Sequence, residues 1–580
     1  MKKLARLLPA AFAAFSQPII AQSPVAEQQW IDAGNVRALV RNNGILVSDF
    51  RVPTPADSLA SCLGELSLWA GGIDPAGNLK LATQQADTAQ SHFRGGFRRR
   101  PGAAKVWKIT RADVEQHEAD WLDNGQIDNP NPAIFAWPGS GNAAAEQFNG
   151  FSLDSVPAWM SAPFWDKNEN RQYDPEMGEI PRVDVQVNEG QWNWSEMVFA
   201  PFHEKMEPDS SPANRPKIGI EGDVLLFTYR CEDSPFLSNT VFGRTHLHYR
   251  IAEPIDSFFV GFLVDGNVGN SADDFLGHRT AYRTTYFYDA KPNDDLVFGQ
   301  QPPIFGFHGG HAVENLVIPD SQGGDSIVSV TLPPNSLMPI HPENAPLLPP
   351  MQPPASELEF YNYLTGTWRT GWPLTAAGNG YNTDFSVPKA KFAFPGFPGT
   401  AGEWSEITAN NPPGDRRGLL GYGARTIFGC GAQNCYDEKI GFSLYHAPGG
   451  GGLAAQVGML DSFARLEDQF FYWDFFPPAV SPFEGLSCLQ PVLPTFETRP
   501  VLSVRIFPNP ASDMLNLDFG AEKPTVVRLF DALGRQAFAA KNPGSTLAVP
   551  VGGLPAGVYF LQWQMQDGRT GTARAAVARQ

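Results

Sequence analysis

The sequence predicts a mainly β protein with a few helices: a large antiparallel-sheet body followed by a small C-terminal Ig-like β-sandwich. Three observations lead there. Short runs rich in β-branched and aromatic residues, many with a period of two, recur along the chain. Glycine and proline punctuate them, at 56 and 52 of 580 residues. Only three stretches combine helical spacing with a start signal or an inward-facing apolar row.

At the N-terminus, Met1-Lys2-Lys3 and Arg6 precede an apolar run over 7–21. A basic region followed by a short apolar one describes a secretory signal peptide over residues 1–21. Ser16, Gln17 and Pro18 break the run, and no later segment approaches about 20 apolar residues. The mature chain is expected to have no transmembrane segment and to leave through the periplasm.

Residues 22–488 make the body. Strands are expected at 36–40 and 44–47 around Asn42-Asn43-Gly44, then at 106–109. Thr110 caps a helix with Asp113 in the reciprocal position, placing Val114, His117 and Trp121 on one face; His117 reads as a packed residue, not a ligand. Residues 129–164 read as ordered loop. The clearest sheet signal is 223–290, where strands at 224–229, 241–251, 257–264 and 280–288 predict an antiparallel meander. The third is apolar on both faces, as a covered central strand must be. Residues 331–356 are a proline-rich connector. Ser356 caps a helix carrying Phe360, Leu364 and Trp368, and a last helix is expected over 461–471. Residues 489–502, with three prolines, are the linker to a terminal module at 503–580.

The net charge is −18. The leader and the terminal module each carry +3, so the body carries −24. That balance argues against nucleic-acid or anionic-membrane binding and suits a protein that meets cations. Of five cysteines, Cys430 and Cys435 close a short loop and are expected to pair, because an oxidising export route permits disulfides.

Two acidic loops are candidate calcium sites. In Asp166-Lys167-Asn168-Glu169-Asn170-Arg171-Gln172-Tyr173-Asp174, oxygen side chains fall at positions 1, 3, 5 and 9, with the Gln172 carbonyl available at 7. Arg171 stands where such loops carry glycine, and Glu176 or Glu179 would have to close the shell. The second loop follows the covered strand and offers Asp265, Asn267, Asp273 and Asp274. A third candidate is the alternating Arg244, His246, His248, Arg250 face. Two histidines at i and i+2 suit zinc given a third ligand, but the flanking arginines favour cross-strand ion pairing. His308-Gly309-Gly310-His311 is a weaker metal candidate in a loop. There is no G-x-S-x-G, GxxxxGK[ST] or HExxH.

The terminal module opens on Val504-Arg505-Ile506-Phe507-Pro508-Asn509-Pro510, where the prolines end a strand. Leu515, Leu517 and Phe519 alternate, 526–530 is a further strand, and Leu529-Phe530-Asp531-Ala532-Leu533-Gly534-Arg535 turns the chain. Leu554-Pro555-Ala556-Gly557-Val558-Tyr559-Phe560 begins the last hairpin. Six or seven strands in about 75 residues make a small sandwich. The module resembles the type A C-terminal sorting domain of Bacteroidota type IX secretion substrates, through Pro508-Asn509-Pro510, the turn at Gly534, and Gly557 with Tyr559. The resemblance implies recognition by the type IX machinery, passage through the outer membrane, and release or surface attachment. Leu68-Trp69-Ala70-Gly71-Gly72, 164–181, 264–277, Tyr361-Asn362-Tyr363-Leu364 and Trp404-Ser405-Glu406 with 413–417 are similar to a family of large secreted Bacteroidota proteins with no assigned activity.

Three functions fit these residues. The favoured one is a non-enzymatic, cation-stabilised binding protein for an extracellular partner such as a glycan. The others are a secreted hydrolase of polysaccharide or protein, which needs a cleft with converging carboxylates, and a structural surface or matrix component.

Overall fold

The computed structural model describes residues 25–579 except 57, 86–90, 100–103, 185–193, 207–215, 252, 292, 295–296, 301, 320–324, 342–347, 429–435, 471–487, 489–503, 532–534 and 566–569. The chain divides into two compact units, Met1–Pro491 and Val492–Gln580. The expected 1–21 leader, the 489–502 linker and the Cys430–Cys435 pair lie outside the described residues.

The first unit is built on two antiparallel sheets. The larger has eleven strands and runs, in spatial order, through Val106–Thr110, Glu196–Glu204, Ile220–Thr228, Thr240–Tyr249, Asp437–Ala447, Ile304–Pro319, Thr284–Asp289 and Asp274–Arg279. The eight-stranded sheet centres on Arg416–Ile427, Ile255–Gly266, Leu59–Ile73 and Ile45–Pro53. Alternation along each strand decides which layer a side chain enters. Val224 and Leu226 point into the core shared with the second sheet, whereas Leu225 and Phe227 point to the opposite face. Phe262 of the second sheet meets Phe307 and Phe442 of the first at 5.6 Å in each case, so the sheets face each other.

Helices cover the outer faces. Leu460, Phe463 and Phe470 of the helix Leu453–Phe470 and Ile134 of the helix Pro132–Ala136 pack on the first sheet. Glu357–Leu364 lies on the second, with Phe360 against Trp69 at 4.8 Å. The unit is thus layered helix–sheet–sheet–helix, and this burial explains why strand Ile255–Gly266 is apolar on both faces.

The predicted meander is corrected. Ile220–Thr228 and Thr240–Tyr249 do pair, but the next strand, Ile255–Gly266, crosses into the second sheet between Leu59–Ile73 and Arg416–Ile427. The chain returns to the far edge of the first sheet as Asp274–Arg279 and Thr284–Asp289. A strand buried on both faces needs the most covered place available, and that place is the middle of the second sheet. The helix at Arg111–Asn124 has the expected capping box between Thr110 and Asp113, and Val114 and His117 are buried. The last helix begins earlier than expected, at Leu453.

Among its described residues the second unit has seven strands. Arg505–Phe507, Met514–Asp518 and Thr546–Pro550 form one sheet; Gln536–Lys541, Val526–Phe530, Gly557–Gln564 and Thr570–Val577 form the other. Leu515, Leu517, Val527, Leu529, Leu561 and Trp563 share one core, and the two sheets fit a β-sandwich.

Candidate functional site

The 166–179 loop is wound by its own side chains. Asp166 accepts the backbone amides of Asn170 and Arg171 at 3.1 and 2.8 Å. Asn168 and Asn170 accept the amides two residues on, and both turn their side-chain nitrogens to Asp174, at 3.2 and 2.6 Å. Glu179 is fully buried and accepts the amides of Lys167 and Asp174 at 2.9 Å each, so it closes the loop from beneath; burial pushes its carboxyl up. Arg171 adopts φ 64°, the conformation that glycine supplies without strain at this point of such loops. Gln172 is exposed at the rim. Asp166, Asn168, Asn170, Asp174 and Glu179 are thus brought into one turn, but the two amide nitrogens, not their oxygens, face Asp174.

In the second loop the acidic residues have different tasks. Asp265 pairs with Arg417 at 3.2 Å, and Asp273 pairs with Lys291 at 2.7 Å. Asp274 is fully buried and accepts the Val268 amide at 3.1 Å; burial and the neighbouring Asp289, Asp273 and Asp415 raise its carboxyl well above the usual range. Asn267 Oδ1, Asp273 Oδ1 and Asp274 Oδ1 are buried without a hydrogen-bond partner. Phe287 of the first sheet seats against Gly266, where a Cβ would meet its ring at 2.1 Å, so only glycine allows this close approach.

The loop leading to strand Arg416–Ile427 is pinned by a charge pair that the sequence did not disclose. Glu406 and Arg416 are both buried and meet at 2.9 Å, and Glu406 also accepts the Leu276 amide at 2.9 Å. The nearby Gly414 amide bonds to the Asp274 carbonyl. The two residues lie ten apart across an irregular loop, and a pair of this kind leaves no periodic mark.

The Arg244, His246, His248 face does point away from the shared core, as alternation requires. Arg244 is buried between Asp184, at 2.8 Å, and Asp223, so the expected ion pairing is present. His308 is corrected: it lies in strand Ile304–Pro319, not a loop, and is fully buried beside Thr284, at 3.4 Å, and Glu467, at 3.9 Å. Ser443 donates to Glu467 at 2.6 Å. This Ser–Glu–His group resembles hydrolytic machinery in composition, but all three side chains are fully buried, so no substrate reaches them.

The described cysteines add an unforeseen bond. Cys231 and Cys488 form a disulfide across 257 residues of sequence, and Cys62 is buried in the core outside that bond.

In the second unit, Asn509 bridges the sandwich, accepting the Ala576 amide at 2.7 Å, beside Pro508 and Pro510. Gly557 begins a strand, and the buried Tyr559 donates from its hydroxyl to the Pro555 carbonyl at 2.9 Å. Gly534 lies outside the described residues. These contacts tie the strand ends of the module together, which accounts for motif residues that are widely spaced in sequence.

Residues 505–575 match the model of the secretion system C-terminal sorting domain. None of the curated proteins matches the chain. Among solved structures, a polysaccharide lyase aligns at 7% identity with a TM-score of 0.22, covering 95% of this chain and 47% of its own. The chain thus spans about half the length of that lyase. PorZ, a surface component of the type IX secretion system of Porphyromonas gingivalis, aligns at 10% identity with a TM-score of 0.12, covering 95% of this chain and 75% of its own. Neither score carries an argument about fold or activity. No helix among the described residues is long and apolar enough to cross a membrane.

Proposed function

We propose that this chain, a type IX secretion substrate by its C-terminal module, crosses the periplasm and works outside the cell as a cation-stabilised, non-enzymatic binding protein. The sorting module at 505–575 is the observation that carries the location. Recognition by the type IX machinery rests on the same module, and secretion or surface attachment follows from it. The Cys231–Cys488 disulfide suits an oxidising compartment.

Calcium is the cation proposed for the two acidic loops. In the first, Asp166, Asp174 and Glu179 supply carboxylates, and Asn168 and Asn170 would turn their amide oxygens inward with Gln172 giving its carbonyl. In the second, the unpartnered oxygens of Asn267, Asp273 and Asp274, with Asp265, are the donor set. Oxygen-only donors of this kind suit a hard divalent ion. Its role is to fix loops between strands, as loop-bound metals do. A binding role is supported by how the conspicuous charges are used: Glu406, Asp265 and Asp461 are each held by an arginine.

The test is a screen of the secreted full chain against a glycan panel and against generic glycan and peptide hydrolase substrates. Saturable binding without turnover is expected. Turnover abolished by a single carboxylate substitution would overturn the reading in favour of a hydrolase.

A further inference from the structure

The outer face of the first sheet carries a second, chemically different group of ligands at the edge of its helical cover. His246 and His248 stand two residues apart on strand Thr240–Tyr249, so both project from the same face. Register places Asp437, the first residue of strand Asp437–Ala447, directly opposite His248. The three side chains therefore converge: one ligand atom from each lies within 4.8 Å of the other two. His246 Nε2 and Asp437 Oδ2 are 3.0 Å apart, and the two imidazole rings are 4.0 Å apart at their centroids. Ligands at about 2.0–2.1 Å from a tetrahedral zinc ion sit roughly 3.3 Å from one another; the His246–Asp437 pair is close to that spacing, and the other pairs lie within 4.8 Å.

A second observation points to a ligand. His248 is 4% exposed, and its Nε2 is buried with no hydrogen-bond partner. A buried polar nitrogen left unpaired costs about 1–3 kcal/mol unless something meets it. Trp159 walls the site at 4.6 Å from the His248 ring, while Asp437 retains 24% side-chain exposure and gives a way in from solvent. The nearby cations are already engaged. Arg244 lies between Asp184 and Asp223, and Lys439 meets Asp184 at 2.6 Å.

We propose that His246, His248 and Asp437 form a binding site for a first-row divalent transition metal, Zn²⁺ by ligand type, with one coordination position open to water. Nitrogen-rich donors separate it from the oxygen-only loops, which suit calcium. The proposal does not depend on the calcium reading: either stands if the other fails.

The experiment is isothermal titration of the metal-stripped full chain with Zn²⁺, in excess Ca²⁺ so that the acidic loops do not report. One equivalent is expected, weakened about tenfold or more in both His248→Ala and Asp437→Asn. Asp437 is partly exposed and the asparagine change is isosteric, so that variant keeps the test valid if His248→Ala fails to fold. Substitution with Co²⁺ should give the intense visible absorption of a tetrahedral site in the wild type and lose it in the variants. No stoichiometric binding, or equal affinity in wild type and Asp437→Asn, would overturn the proposal.

Discussion

Asp265 shows how one side chain can be both legible and misleading. The sequence placed it just after a strand apolar on both faces, and its acidity suggested a ligand; it lies inside that strand, Ile255–Gly266. The structure pairs it with Arg417, yet burial, reinforced by Asp415 and Glu65, still raises its carboxyl to about 7. In the unfolded chain this group titrates near 3.9. Between about pH 4 and 7 the folded state therefore holds a proton that the unfolded state releases, and stability falls as pH rises through that window. Asp265→Asn should melt with the wild type near pH 4 and above it near pH 8; a Tm difference that is the same at both pH values would contradict this. Glu406 matters through its partner. Its pairing with Arg416 is fully buried, so Glu406→Gln leaves a guanidinium without its counter-charge and should cost roughly 3–5 kcal/mol in denaturant unfolding. A loss below about 1 kcal/mol would mean that the pair is solvated.

Local elements were the most legible part of the chain. The Thr110–Asp113 capping box, the helix it opens and the alternation of strand Thr240–Tyr249 are decided within a dozen residues, and the structure has them as expected. What was not legible depends on distant partners. Nothing local says that strand Ile255–Gly266 leaves the first sheet, that Asp437 meets His248 across a ladder, or that Cys231 finds Cys488. Two element-level outcomes follow. Thr110→Ala should cost about 1 kcal/mol by removing the cap. Cys488→Ser should cost about 2–5 kcal/mol, because the bond closes a loop of 257 residues in the unfolded chain. A reduced and an oxidised protein with equal unfolding midpoints would show that the disulfide does not constrain the unfolded state. The acidic loops belong here too. If calcium fixes 166–179, then added Ca²⁺ should raise the Tm of the wild type, and Asp166→Ala should lose most of that rise. Identical melts with and without chelator would remove the ion from the account.

At the scale of the whole molecule, charge divides the labour. A body at −24 and a sorting module at +3 are unlike surfaces on one chain. Two of the module's motifs were readable because they make contacts that its sandwich requires: Asn509 on the Ala576 amide, Tyr559 on the Pro555 carbonyl. The body's task was not readable in the same way, because its charged residues act in pairs that meet only once strands and loops are packed, such as Arg279 with Asp461. The central claim is that the module delivers the body to the outside. Its most direct measurement is protease accessibility of the body on intact cells, comparing the full chain with one truncated before Val504 in a type IX-competent host. The full chain should be accessible at the surface or found in the medium, and the truncated chain should be protected inside; equal accessibility of the two would contradict the account.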